Sequence, residues 1–328
     1  MSVKNYFILP ILLLLFISSL LGQESQRNQD SNAILIIGAG AGGTAAAIQA
    51  ARMGVKVYLF SESPWLGGML TAAGVSAIDG NHQLPSGLWG EFRTKLYAHY
   101  GGPEALATGW VSNTHFEPKV GDSILKSMVQ YPNLKIYYNT KINRILQTHK
   151  GWKISYVSKD KLSHIEGAIL IDGTENGDVL PLVGAEFNVG MAAQSDTGEK
   201  EAPKNSNRIV QDLTYTLILK ALGRDAKHTE LETKRPSYDA SVFDCACRLP
   251  GSYTPKGIVD HIQMLDYAKL PGNKYLINWP NCGNDYFLDW PNMTFEEVQK
   301  GISDAKQHTL NFVYYIQLIY IQHQIILY

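Results

Sequence analysis

The sequence predicts an α/β protein built on a parallel sheet, and three observations carry that prediction. Ile34-Leu35-Ile36-Ile37 is a continuous apolar run, the pattern of a strand buried on both faces. The turn Gly38-Ala39-Gly40-Ala41-Gly42-Gly43 follows at once, and an Ala-rich helical segment runs over residues 44–53 and stops at Gly54. Residues 55–60 then read as a second strand, with Glu62 just beyond it.

Each glycine of the G-x-G-x-x-G match at Gly38, Gly40 and Gly43 has a task. Gly38 permits the tight turn, Gly40 lets a pyrophosphate approach the backbone, and Gly43 lets the helix lie close on the strand. The helix start offers unpaired N–H groups and a partial positive charge to phosphates. The glycine match alone is weak evidence; set between two strands and a helix, with an acid downstream, it specifies a dinucleotide site. The usual position of the acid falls on Ser61, and the carboxylate comes one residue later. Either Glu62 curls back to accept from the ribose or Ser61 takes that contact; Glu62 is the favoured acceptor, with Ser61 beside it.

Further elements follow in order. Residues 65–87 read as an irregular, Gly-rich connection. Residues 88–100 have helical spacing, with Leu88, Phe92, Leu96 and Tyr100 on one face and Ser86 as a cap. Residues 122–130 form a second helix candidate, and residues 134–138 a third parallel strand. Residues 143–147 and 152–157 are short strands across a Lys150-Gly151 turn. Residues 168–171 are again a buried strand, leading into the loop 172–178. The acids of that loop invite a calcium reading, but no downstream Glu stands at the EF-hand position. Residues 192–207 are polar and read as a surface joint. Leu213 to Leu219 alternates like one half-buried strand. Trp279-Pro280-Asn281 and Trp290-Pro291-Asn292 read as two X-Pro turns with packed rings, or as an aromatic wall near a substrate.

Trp65-Leu66-Gly67-Gly68-Met69-Leu70-Thr71-Ala72-Ala73-Gly74 brings a second Gly pair after the acid. With Asp79-Gly80-Asn81-His82, the run Leu84 to Phe92 and Gly109-Trp110-Val111-Ser112-Asn113-Thr114, it resembles a family of FAD-dependent oxidoreductases. That family has glutathione-reductase-like flavin domains, within a wider group similar to the flavin-carrying component of heterodisulfide reductase. The resemblance covers residues 33–317. It implies a Rossmann-like FAD-binding domain over 33–191, with a parallel sheet and an antiparallel crossover, and an incomplete α+β substrate domain over 208–317. It implies FAD contacts at Gly38, Ala39, Gly40, Ala41, Gly42, Gly43, Gly67 and Gly68, and an adenine contact through the backbone of Ile142. It also implies that the loop 172–178 returns to the cofactor. Relatives continue well beyond residue 317 with a last strand and helix. The apolar tail 318–328 matches nothing in them, so the expectation is a C-terminally truncated chain with an exposed tail. A non-catalytic nucleotide-binding fragment is the alternative reading. An NAD(P)-dependent dehydrogenase is a weaker one, opposed by Trp65 to Gly68.

The chain has 328 residues and a net charge of −1, so no basic surface argues for nucleic acid. Lys4, the apolar residues 7–21 and a polar exit describe a signal peptide over residues 1–22 and a secreted or periplasmic protein. An uncleaved leader is the alternative, and would be the chain's one tie to a membrane. The three cysteines are too few for a four-cysteine iron–sulfur site, although such clusters occur in the wider group. They are either ordinary thiols or one bridge plus a leftover thiol. Cys245 and Cys247 are too close for an unstrained bridge, so a bridge would join Cys282 to one of them. The expected partners are a small organic substrate and an unidentified electron acceptor. Oxidation of an alcohol or amine needs a base. His82 is the candidate, on a polar loop after the cofactor motifs, with Glu91 and Asp79 behind it. No metal ligands are expected.

Overall fold

The structure, a computed structural model, describes residues 32–221, 234–248 and 258–322. The segment expected to be a signal peptide and the end of the apolar tail lie outside the described residues. In chain order the first unit runs β1 (Ile34–Ile37), α1 (Ala41–Arg52), β2 (Val57–Phe60), α2 (Gly87–Tyr100), α3 (Pro118–Met128) and β3 (Leu134–Tyr137). It continues with β4 (Thr140–Thr148), β5 (Gly151–Ser158), β6 (Lys161–Gly167) and β7 (Ile169–Asp172).

The parallel sheet has the order β3-β2-β1-β7. Ile34 pairs with Val57 on one side and Ile169 on the other, which places β1 in the middle. Alternate side chains feed two different cores, as strand geometry requires. Ile36, Val57, Leu59 and Leu134 pack against Ala47, Ile48, Leu96, Leu125 and Met128 of the helices. Leu35, Ile37, Tyr58 and Phe60 pack against Ile145, Ile154, Tyr156 and Ile165 of an antiparallel ladder β4-β5-β6. The two central strands, β1 and β2, are therefore buried on both faces, which explains why they read as unbroken apolar runs. The fold class is that expected, α/β with a parallel sheet, an antiparallel crossover ladder and further antiparallel strands.

Several elements differ from the expectation. The helices α1 and α3 each begin earlier than their periodicity suggested. Pro118 at the start of α3 has a fixed φ suited to a first turn, where its missing N–H costs nothing. Ser86 stands at the N-cap of α2 but makes no side-chain cap bond. The third ladder strand, β6, was not foreseen: of Lys161 to Gly167 only Ile165 and Gly167 are buried, so its apolar signal is one side chain.

The second unit holds β8 (Leu213–Thr214), β9 (Leu217–Lys220), α4 (His261–Leu265), β10 (Lys269–Leu270), β11 (Lys274–Ile277), β12 (Asp285–Tyr286) and the long helix α5 (Phe295–Gln322). The single strand expected over Leu213 to Leu219 is thus two, in different sheets. Between them the Tyr215 carbonyl accepts from the Thr309 hydroxyl at 2.7 Å, and the Thr216 hydroxyl donates to Ala73 O at 2.6 Å. Those bonds take the backbone out of one ladder and into another. The core gathers Leu219, Phe243, Met264, Ile277, Trp279, Phe312, Ile316 and Ile319. Ile319 is 5% exposed, so the expected exposed apolar tail begins inside a packed helix. Trp279 is buried and donates to Ala246 O at 2.9 Å, whereas Trp290 is exposed, so the repeated tripeptide plays two parts.

Cys245 and Cys282 form a disulfide, one of the two pairings left open by the sequence. Cys247 is a free, buried thiol, and burial pushes its pKa up to about 12, with the Asp260 charge adding to the shift. Among the described residues no helix is long and apolar enough to cross a membrane.

Candidate cofactor site

The site is built where β1, α1 and the loop after β7 meet. Gly38 has φ +93°, and its N–H donates to Phe60 O at 2.9 Å. A Cβ at Gly38 would lie 2.4 Å from the carbonyl carbon of Gly173. A Cβ at Gly43 would lie 1.9 Å from Gly38 O. Three backbones therefore meet where no side chain fits, and Gly173 N–H seals the knot by donating to Ile37 O at 2.7 Å.

The first ladder bond of α1 runs from Thr44 N–H to Gly40 O, at 2.9 Å. The N–H groups of Ala41, Gly42 and Gly43 precede that ladder, and the helix dipole adds positive potential there. Ala41 and Gly42 are exposed, and a Cβ at Gly42 would meet nothing within 4 Å. The start of the helix is thus open to a ligand.

The turn at Gly67 and Gly68 closes the other side. Gly67 N–H donates to Ala39 O at 2.8 Å, and Gly67 bridges Gly40 in parallel. Asp122 Oδ1 accepts from Leu66 N–H at 2.9 Å and holds this turn on α3. The structure therefore brings Gly38, Ala39, Gly40, Gly43, Gly67 and Gly68 together, with Ala41 and Gly42 at the rim.

Ser61 and Glu62 follow β2 directly. Ser61 is 3% exposed, and its hydroxyl donates to Ser63 O at 2.7 Å, so it serves the turn. Glu62 is exposed. Thr140 N–H donates to Ser61 O at 2.9 Å, which docks the start of β4 beside them. Ile142 lies two residues on, next to a bulge at Asn143.

His82 sits apart, on the loop that follows the second glycine turn. It is partly buried, and Asn113 Nδ2 lies 3.4 Å from its Nδ1. Glu91 does not suit a base: Arg52 grips it with two bonds of 2.6 Å, and this pairing holds its carboxyl below the ordinary carboxylate range. Asp79 is exposed. Beneath this loop lies His115, fully buried, which desolvation holds below the ordinary imidazole range while the Leu106 carbonyl opposes the shift.

One residue of the site was missed by sequence reasoning. Glu175 Oε1 accepts from Met69 N–H at 2.7 Å, at the edge of the glycine cradle. Its loop was singled out, but nothing in the local sequence marked this side chain. Beside α1 an apolar cavity of about 330 Å³ opens, lined by Ala41, Ala45, Ile48, Leu70, Trp89 and Phe92 among others.

A strand, a glycine knot, an open helix start and a returning loop define a dinucleotide-binding α/β protein. The residues fit a diphosphate: the N–H donors of Ala41, Gly42 and Gly43 precede the helix ladder, and at exposed Gly42 a Cβ would meet nothing within 4 Å. The chain matches the family described as FAD dependent oxidoreductase over residues 33–325, and it belongs to that family. Its cofactor is FAD. No curated protein matches it.

Among solved structures it is similar to L-proline dehydrogenase from P. horikoshii, with 19% identity over 44% of this chain and 22% of that one, at a TM-score of 0.27. It is similar to a flavoprotein/dehydrogenase from Cytophaga hutchinsonii, with 16% identity, 48% and 44% coverage and a TM-score of 0.36. It is also similar to AlpK, with 13% identity, 85% and 50% coverage and a TM-score of 0.40. The chain thus spans half or less of the length of these three structures.

Proposed function

We propose that this chain is an exported FAD-dependent oxidoreductase. In this reading it takes a hydride from a small organic substrate onto the flavin and yields the electrons to a separate acceptor. When bound, FAD supplies the two-electron chemistry. The amides of Ala41, Gly42 and Gly43 hold the diphosphate, and Glu62 accepts a hydrogen bond from a ribose hydroxyl. The backbone at Ile142 meets the adenine. His82 takes the proton released as the substrate is oxidised.

The observation that carries the reading is the glycine cradle at the start of α1, where any Cβ at Gly38 or Gly43 would strike backbone. Export is supported by the basic start and apolar run of the first 22 residues. The Cys245–Cys282 bridge supports it too, since such bridges persist in oxidising compartments.

The test is a visible spectrum of the purified full chain, before and after incubation with FAD. A retained yellow flavin absorbance is expected. A colourless protein that takes up no FAD, yet is protected from unfolding by NADH, would overturn the reading. His82→Ala should remove turnover and leave flavin content unchanged. Unaltered turnover would return His82 to a structural part.

A further inference from the structure

The cradle contains a negative charge of the protein's own. Glu175 Oε1, which accepts from Met69 N–H at 2.7 Å, also stands 2.0 Å from where a Cβ at Gly68 would be and 3.1 Å from one at Gly40. Gly40 is the N-cap of α1. The carboxylate oxygen thus lies between the helix start and the second glycine turn. A carboxylate and a phosphate make the same demands on such a place, namely backbone N–H donors and the positive end of a helix dipole.

We propose that Glu175 is a resident competitor of the cofactor's diphosphate and so sets the affinity and ligand selectivity of this site. Its carboxylate, held by Met69 N–H, stands beside the amides at the start of α1 and rotates out when a diphosphate loads. The proposal rests on the dinucleotide reading of the cradle.

Only the side chain needs to move. The loop's backbone is fixed at its base, where Gly173 is wedged against Gly38 and Gly43. Thr174 donates to Asp172 Oδ1 through both its N–H, at 2.9 Å, and its hydroxyl, at 2.6 Å. Asp178 N–H donates in turn to the Thr174 hydroxyl oxygen at 2.9 Å. Glu175 itself is exposed, so solvent receives the displaced carboxylate. Two anions cannot stand a few ångströms apart without repulsion. A ligand must therefore bring enough negative charge to displace Glu175 from its place beside the amides, where Met69 N–H holds it. Diphosphates do so, and uncharged sugars and nucleosides do not.

The experiment uses the full chain freed of flavin, titrated with ADP and with FAD by calorimetry at low and high salt. Wild type is compared with Glu175→Gln, which keeps the shape and an acceptor oxygen, and with Glu175→Ala. Both variants should bind ADP about tenfold more tightly than wild type at low salt, with the gap narrowing as salt screens the repulsion. ADP affinity that is unchanged or weaker in both variants, with FAD still bound, overturns the competitor and leaves the dinucleotide site standing. Weaker FAD binding with unchanged ADP binding also overturns it, and points to a contact between Glu175 and a ligand hydroxyl. Failure of wild type and variants alike to bind either ligand removes both the site and the competitor. If Glu175→Ala does not fold, Glu175→Gln alone decides.

Discussion

Replacing Gly43 by Ala tests the packing on which the site depends. The added Cβ would lie 1.9 Å from Gly38 O and 3.1 Å from Gly38 C, where ordinary contact begins at 3.4 Å. The obstacle is backbone, braced from behind by Gly173, so it cannot swing aside as a side chain would. Relief requires α1 to lift from β1 by roughly 1.5 Å, which also loosens Ala47, Ile48 and Ala51 beneath it. Overpacking of this kind costs about 3 kcal/mol, a large part of a domain's stability. Gly42→Ala is the internal control. Its Cβ meets nothing within 4 Å, and a helical Gly→Ala change stabilises by up to about 1 kcal/mol. Urea denaturation followed by far-ultraviolet circular dichroism and Trp fluorescence should separate the two variants by about 3–4 kcal/mol. If Gly43→Ala unfolds within about 1 kcal/mol of Gly42→Ala, the helix does not lie on the strand as described.

Two further outcomes are expected. The Cys245–Cys282 bridge closes a span of 37 residues, so the paired Cys245→Ser and Cys282→Ser changes should cost about 3–4 kcal/mol in a denaturation curve. A loss below about 1 kcal/mol would mean the cross-link constrains little. His115 has its pKa lowered by desolvation from the ordinary value of 6.5. Its neutral form is favoured in the fold, so the contribution is present above pH 6.5 and is lost as pH falls through the depressed value. The urea midpoint of wild type should drop between pH 7.5 and 5.0 more steeply than that of His115→Gln, and equal slopes would refute this.

The first unit was legible where physics is local. Ile34 to Ile37 is apolar without a break because helices cover one face and a ladder the other, and the glycines mark the turn between strand and helix. β6 was hidden because Lys161 to Gly167 buries one large apolar side chain. The break between β8 and β9 was hidden because its cause lies in distant partners, Thr309 and Ala73. The same holds for the site. Gly38, Gly40 and Gly43 could be read from spacing alone, whereas Glu175 reaches Met69 only because β7 returns beside β1. Glu91 looked free in the sequence because nothing local shows Arg52 across the gap between two helices.

The central place of β1 has a consequence for biosynthesis. Ile34 leaves the ribosome early, but its second neighbour, Ile169, is made far later. At about 5–20 residues per second, the nascent chain carries an open, apolar strand edge for on the order of ten seconds. An export route that keeps the polypeptide unfolded until translocation would spare it that interval, and a cytosolic chaperone holding the first segment would do the same.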